Sequence, residues 1–482
     1  MKMQKKSTSF FPAMIFAVAL VLRVIPVILM RGMGIGLDDM YQYDMLARSI
    51  VSGEGFRWYA EPDLKLVQDY LPVQFSMEGY DPRGVLTSFR PPLYPSFLAL
   101  VYLFSGVDSD RFFIARLVQC FLNAALAPLV FLLSRRLYPA RPLTAKIAAW
   151  VITLYPMMIL YPLALATENL FFLLAVSSLV VLCKACDSRK AGWFILAGLL
   201  LGMTALTRSV ALGFAGLACL WVWFSLREWR KAVLLFAMVA VVTAPWMIRN
   251  TLLHGRLTGI ESGLGYDLYL GYHPQGSGTF QYGISLDLIP ILDDGRRDEL
   301  GQQLAWEFIK EDPGRVPYLM VRRLGHFFGL ERRALTYFYT NDFFGYIEQP
   351  ILMAISSILL LPFMIVSTSA AFGLAMTPWN KKTPLLSLFM AGYLLPHMFI
   401  LGEDRFHLAL VPLLAALSAH AWLSRSPAVI AQWSQPRGRL ALLLAGMAIL
   451  LLLFNWGAEL YRDREILSRM FEAGGNLLHL PY

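Results

Sequence analysis

The sequence predicts an all-α polytopic membrane protein, and three observations carry the prediction. The chain has 482 residues, 57% of them hydrophobic, with a mean hydropathy of +0.54. Several apolar runs approach the ~20 residues that a helix needs to cross the hydrocarbon core, and they are continuous rather than the short alternating strands of a β-barrel. Lys and Arg gather between alternate pairs of runs, the positive-inside bias of helical membrane proteins.

The first span falls in residues 7–30, which are uncharged apart from Arg23. Lys2, Lys5 and Lys6 precede it as they would a secretory signal, but no small-x-small cleavage site ends it and more spans follow, so it reads as a retained span. Further spans are expected at 111–134, 145–162, 166–184, 191–207, 210–226, 232–248, 349–376, 384–402, 406–423 and 440–456. With the N-terminus inside, Arg135, Arg136, Arg141 and Lys146 mark an inside loop. So do Lys184, Arg189 and Lys190, then Arg227, Arg230 and Lys231, then Lys381 and Lys382, then Arg425, Arg437 and Arg439. The alternation closes only if 91–106 does not cross. At 16 residues it is too short, and Pro91-Pro92 suits a helix start, so it reads as an interfacial or re-entrant helix. The count is then eleven spans with the C-terminus outside, and 349–376 has room for a break.

This path divides the chain into an N-terminal membrane module 1–248 with a first outer loop 31–110, an extracytoplasmic loop domain 249–345, C-terminal helices 346–456 and an outer tail 457–482. Within 249–345, residues 300–309 and 315–328 read as helices and the Gly/Tyr-rich 263–283 as loop. The net charge of +9 sits in the inside loops, whose acids are Asp187 and Glu228, while both large outer loops are slightly acidic. The charge is a topology signal and nucleic acid is not an expected partner. Four cysteines in or beside apolar runs give no disulfide framework. Cys183-x-x-Cys186 has redox or metal spacing but no second Cys or His cluster, and buried small residues account for it. There is no Walker loop, Rossmann fingerprint or nucleophile elbow, and the histidines form no zinc pattern.

The chemistry-bearing residues collect on the outer face. Asp38-Asp39 follows the first span, and each carboxylate disfavours ionisation of the other. Met40, Tyr43, Ala47 and Ile50 recur at helical spacing, with Asp44, Arg48 and Ser49 off the stripe, which predicts an interfacial helix over 37–52. Capping by Asp38 and a helix-dipole interaction explain one aspartate well and two less well. Arg90 stands before Pro91-Pro92, either as an interface anchor or as an anion clamp with fork geometry for phosphate. Glu168 lies between two apolar runs, Arg208 sits in a very short turn between two others, and Glu403-Asp404-Arg405-Phe406-His407 interrupts the region between the ninth and tenth spans. Arg249 and Asn250, at a span end beside Trp246, read as structural.

In order and spacing, several short pieces resemble GT-C glycosyltransferases of the protein O-mannosyltransferase and aminoarabinose-transferase-like family (family 39 and relatives). They are Asp39-x-x-x-Tyr43-Asp44-x-Leu46-Ala47-Arg48, Gly53-Glu54-Gly55-Phe56, Arg90-Pro91-Pro92-Leu93-Tyr94-Pro95, Arg116-Leu117-Val118-Gln119 and Thr167-Glu168-Asn169-Leu170. Ala205-Leu206-Thr207-Arg208, Pro245-Trp246-x-Ile248-Arg249-Asn250, Gly271-Tyr272-His273-Pro274-Gln275-Gly276 and Arg405-Phe406-His407-x-x-x-x-Pro412 continue it, so that nearly the whole chain is covered. The resemblance implies a polyprenyl-phosphate sugar donor, a lipid, glycan or protein acceptor, and an active site on the extracytoplasmic side of the cell (inner) membrane. It implies that Asp39 is the catalytic acid, acting on the acceptor nucleophile as a general base or by orienting it. Relatives with Asp-Glu at this place favour Asp38 instead, and the doublet stays open. Glu168 matches a second loop acid, Arg90 a basic residue near the lipid phosphate, with Arg208 or Arg405 sharing that charge. Tyr43 and His407 are the candidate substrate contacts. No cofactor is required, and a divalent cation bridging Asp39 and Glu168 is compatible with the pattern. A transporter or lipid-linked glycan flippase is the rival reading. It predicts inverted repeats and midplane charges, and the sequence shows neither. A non-catalytic partner with the same fold would not need Asp39, Glu168 and Arg90.

Overall fold

A computed structural model describes residues 2–70, 75, 77 and 79–478, with side chains from Phe10 onward. Among the described residues the regular elements are all helices apart from a two-stranded antiparallel ribbon, in which Arg57 pairs with Leu86 and Trp58 with Val85. Among the described residues six helices are long and apolar enough to cross a membrane: Phe10–Leu29, Arg111–Leu137, Glu168–Ser188, Trp229–His254, Gln349–Met376 and Pro436–Arg462. Pro142–Leu154 and Pro156–Leu163, bent by 58°, are long and apolar enough only when taken together. The other four expected spans are helical but short: Ala191–Thr207, Ala211–Phe224, Thr383–Phe399 and Val411–Trp422. All eleven segments are therefore helices, of which six pass the length test alone. Gln349–Met376 is unbroken, with Pro362 inside it.

The intramembrane charge Arg23 is fully buried and donates to the carbonyls of Ala19 (3.0 Å) and Ile152 (3.1 Å), so it ties the first span to the bent pair. Without a hydrophobic drive between helices in lipid, close packing decides contact. Gly198 and Gly202, one turn apart, lie against the Trp229–His254 helix, where an added Cβ would come within 2.6 Å of Leu235 and Val242.

Residues 91–106 hold one helix, Leu93–Ser105, 13 residues long. It packs beneath the Asp39–Val51 helix, with Tyr43 and Ala47 against Tyr94, Leu98 and Tyr102. The opposite face of Asp39–Val51 is not solvated as an interfacial helix would be. Tyr41, Met45 and Leu46 pack on Trp58, Phe89 and Leu292, so the 249–345 loop covers the first loop. Asp44, on the side of the helix toward Tyr102 and Arg111, is buried, and Arg48 (2.8 Å), Arg111 (2.9 Å) and Tyr102 (3.0 Å) satisfy it. Arg249 and Asn250 bond backbone carbonyls of Thr87 (2.6 Å) and Ile260 (2.9 Å).

Within 249–345 the expected helices appear as Asp294–Glu311 and Arg315–Phe327. The 263–283 segment departs from the loop expectation: Leu264–Tyr272 is helical. Its glycines mark a close crossing, not a coil. Gly265 and Gly301 lie where a Cβ on either would strike the other helix's backbone. In the tail, Arg464–Met470 is helical and Met470 packs on Leu335, Tyr339 and Leu352; the last four residues of 457–482 lie outside the described residues.

The topology predicts a labelling pattern. Ala140 lies exposed in the basic 135–146 loop, whereas Ser109 and Glu472 are exposed in the first outer loop and the tail. In a background without native cysteines, Ser109→Cys and Glu472→Cys should react with an impermeant thiol reagent on intact cells. Ala140→Cys should react only after the cells are opened. Labelling of Ala140→Cys from outside overturns the path.

Candidate active site

The site is built from four pieces of chain. The first is the N-terminus of Asp39–Val51. Asp38 caps it, its carboxylate accepting from the Met40 N–H at 2.9 Å, which places Asp39 in the first turn. The second is 87–90, fixed from the neighbouring loop by buried Asp294. Its Oδ2 accepts from Thr87 Oγ1 (2.5 Å), Ser88 N–H (2.7 Å) and Phe89 N–H (3.1 Å). Pinning these residues sets the direction of Arg90 as the chain turns into the Pro91-Pro92 helix start. The third is the pair of span ends at Glu168 and Arg208. The fourth is the 3₁₀ turn Asp404–Ala409.

Arg90 pairs with Asp39, donates from Nε to Gln42 Oε1 at 2.8 Å and lies over the rings of Tyr43 and Phe89. The second Asp39 oxygen accepts from Arg405 Nη2 at 3.1 Å. Arg405 Nε is 2.9 Å from Glu403 Oε2. Arg208 Nη1 is 2.5 Å from Glu168 Oε1 and 3.4 Å from Thr167 Oγ1. The guanidiniums of Arg208 and Arg405 stand 5.1 and 5.7 Å from the Phe406 ring, which joins the two pairs. Asp39, Glu168, Arg90, Arg208 and Arg405 are thus brought together from five places far apart in sequence.

Electrostatics divides the acids. Burial opposes ionisation of Asp39, but the charges of Arg90 and then Arg405 more than offset it and hold the carboxyl well below the usual carboxylate range. Asp39 is an ionised, weakly basic group. Two carboxylates that sequence reasoning missed stand near enough to feel the charge of Arg90. Glu261 accepts from Ser209, and burial raises its pKa. Asp267 is pushed up to about 7 by burial and then by the charge of Glu261. Both lie in the Gly-rich stretch 259–267, whose composition hid them. Gln42 and Glu403 were also missed. Glu403 shared its sequence cluster with Arg405, and its contact with Arg405 was the available signal.

One candidate falls elsewhere. His407 is fully buried between the Phe327 carbonyl (2.8 Å) and Glu331 (2.9 Å) and stacks on Phe363, with no open side for substrate. Tyr43, 4% exposed, is the cushion under Arg90. Asp38 remains exposed at the cap. Among the described residues no group of three or more His, Cys, Asp or Glu could hold a metal ion, and Asp39 and Glu168 are engaged by arginines.

Residues 89–248 match the family model described as dolichyl-phosphate-mannose-protein mannosyltransferase, a range that holds Arg90, Glu168 and Arg208. The motif resemblance and the all-α fold class are borne out. No curated protein matches the sequence. Among solved structures the chain is similar to the Archaeoglobus fulgidus oligosaccharyltransferase tethered with an acceptor peptide. The identity is 16% over 98% of this chain and 59% of that one, at a TM-score of 0.49. The same enzyme in complex with zinc and sulfate gives 15% identity over 92% and 52%, at a TM-score of 0.48. ArnT from Cupriavidus metallidurans bound to undecaprenyl phosphate gives 12% identity over 89% and 80%, at 0.39. The chain spans between half and three fifths of the length of the oligosaccharyltransferase structures.

Proposed function

We propose that the protein is an inverting glycosyltransferase that moves a sugar from a polyprenyl-phosphate donor to an acceptor on the extracytoplasmic face of the cell membrane. The observation that carries the reading is one ionised carboxylate, Asp39, shared between Arg90 and Arg405, with Arg208 beside them. Guanidiniums that hold a carboxylate in this way suit the oxygens of a phosphate, which binds the same fork geometry with more charge. The donor phosphate takes over Arg90 and Arg405, and these stabilise the charge that grows on the leaving polyprenyl phosphate. Asp39, released by both arginines, accepts a hydrogen bond from the acceptor and faces the positive charge developing at the anomeric carbon. A carboxylate bound up with arginines suits this role better than that of a covalent nucleophile, and direct displacement inverts the anomeric centre. In this reading the 1–248 module carries the first-loop chemistry, 249–345 covers it, and the 346–456 helices supply Arg405.

Purified full-length protein incubated with labelled undecaprenyl-phosphate sugars should release undecaprenyl phosphate and give a product of the opposite anomeric configuration. Movement of the intact lipid across a bilayer without bond cleavage supports the flippase instead. Arg90→Ala should weaken donor use by about 10- to 100-fold, the ~1.5–3 kcal/mol of a hydrogen bond to a charged group. Arg90→Lys should recover part, because a point charge lacks the fork. Unchanged donor dependence in Arg90→Ala reduces the residue to an anchor.

A further inference from the structure

We propose that Asp267, on the 249–345 loop, is the proton acceptor for a hydroxyl acceptor substrate, a role that rests on the glycosyl-transfer reading above. Its place is built. Ser262 N–H donates to the Ser88 carbonyl at 3.0 Å, and Ser88 Oγ to Ser262 Oγ at 2.8 Å. The Phe89 and Tyr266 rings meet edge to face at 5.6 Å. Gly265 N–H donates to Asp298 Oδ1 at 2.7 Å. These contacts staple the start of the Leu264–Tyr272 helix against the residues that aim Arg90. The charged groups facing Asp267 are Glu261 from its own loop, Arg90 and Asp39 from the first loop, and Glu403 from the 3₁₀ turn.

Among the described residues the Asp267 carboxylate makes no hydrogen bond and no ion pair, although it is partly buried. Every other acid of the enclosure is tied: Asp39 to Arg90 and Arg405, Glu168 to Arg208, Glu261 to Ser209, Glu403 to Arg333 and Arg405. An untied carboxylate in a partly desolvated place costs stability and serves no packing purpose. Its pKa of about 7 is where a general base works best at neutral pH, whereas Asp39 is too weak a base to keep a proton. The step balances. The acceptor oxygen bonds to the anomeric carbon as the carbon–oxygen bond to phosphate breaks. The bonding pair leaves on the polyprenyl phosphate, held by Arg90 and Arg405. The acceptor's proton passes to an Asp267 oxygen and from there to water.

Asp267→Asn should cut turnover of the undecaprenyl-phosphate sugar that wild type uses by about 10²- to 10⁴-fold, and Asp267→Glu should restore part of it. In wild type and in Asp39→Asn, kcat/KM should rise with pH through an apparent value near neutrality, and Asp267→Asn should lose that rise. Binding of undecaprenyl phosphate should persist in Asp267→Asn, which shows the arginines undisturbed. A second measurement needs no turnover. The raised folded-state pKa means that wild type loses stability as pH climbs from the unfolded carboxylate value to about 7. The thermal midpoint of Asp267→Asn should therefore exceed wild type by a margin that grows from pH 5 to pH 8 and then levels. Normal turnover in Asp267→Asn, a neutral limb that vanishes in Asp39→Asn instead, or a margin that does not change with pH overturns the assignment. Wild type that binds undecaprenyl phosphate yet cleaves no sugar from it, with the stability margin intact, removes the transferase reading and the proton-acceptor role with it.

Discussion

Asp39→Asn should lower turnover by about 10²-fold or more, the scale of losing one preorganised electrostatic group, while binding undecaprenyl phosphate at least as tightly as wild type. The two effects have one cause. Asp39 is the anion against which Arg90 and Arg405 are set. An amide of the same shape leaves both guanidiniums without a counter-charge, so the phosphate meets less competition. In the proposed reaction the same change removes the carboxylate that holds the acceptor and faces the anomeric carbon. The loss therefore falls on kcat rather than on KM, the pattern of an interaction made in the transition state. Sign decides the pH dependence. A carboxyl held below its ordinary range stays ionised across pH 5–9, and its contribution to stability is lost only as pH falls through the depressed value. Asp39→Asn should thus change the height of the rate profile and leave its neutral limb in place. Near-normal turnover in Asp39→Asn with Asp38→Asn inactive moves the role to Asp38. Normal turnover in both removes the first-loop carboxylate from the reaction.

The parts of the site that were legible in the sequence are those governed by local rules. The helix after Asp38, the cap, the shortness of 91–106 and the placement of Arg90 before two prolines follow from spacing, capping and length. The apolar stripe at Tyr43 and Ala47 does pack inward, against Tyr94 and Leu98. What was not legible is set by contacts between distant segments. The second face of the first-loop helix reads as solvated until Leu292 and its neighbours cover Tyr41, Met45 and Leu46, and Asp44, off the apolar stripe, is buried by Tyr102 and Arg111 from later in the chain. Asp267 hid in a Gly/Tyr-rich stretch whose glycines serve a helix crossing. His407 was misplaced by proximity in sequence. In a 3₁₀ turn of about three residues per turn, positions two apart point in different directions. Arg405 therefore reaches Asp39 while His407 is driven into the core against Phe363. The four short helices show the limit of a length rule, since their sequences suggested spans that by length alone they do not make.

Glu168→Gln should destabilise the protein by about 3–5 kcal/mol, the cost of breaking a buried ion pair and leaving one charge uncompensated. The Glu168 side chain is 3% exposed and that of Arg208 16%, at 2.5 Å, so water cannot replace the lost partner. Arg208→Gln should cost a similar amount for the same reason in reverse. The double variant Glu168→Gln/Arg208→Gln is the informative one. With no charge left buried, most of the stability should return, since removal of a whole buried pair is often close to neutral. Activity should not return with it. Arg208 shares the Phe406 ring with Arg405, in the proposed reaction it completes the cationic wall that faces the donor phosphate, and a glutamine there supplies no charge. Thermal midpoints, turnover and undecaprenyl phosphate binding on the three variants separate the two roles. Single variants as stable as wild type contradict the buried pair. A double variant that recovers turnover together with stability makes Arg208 a structural partner only, and leaves the phosphate to Arg90 and Arg405.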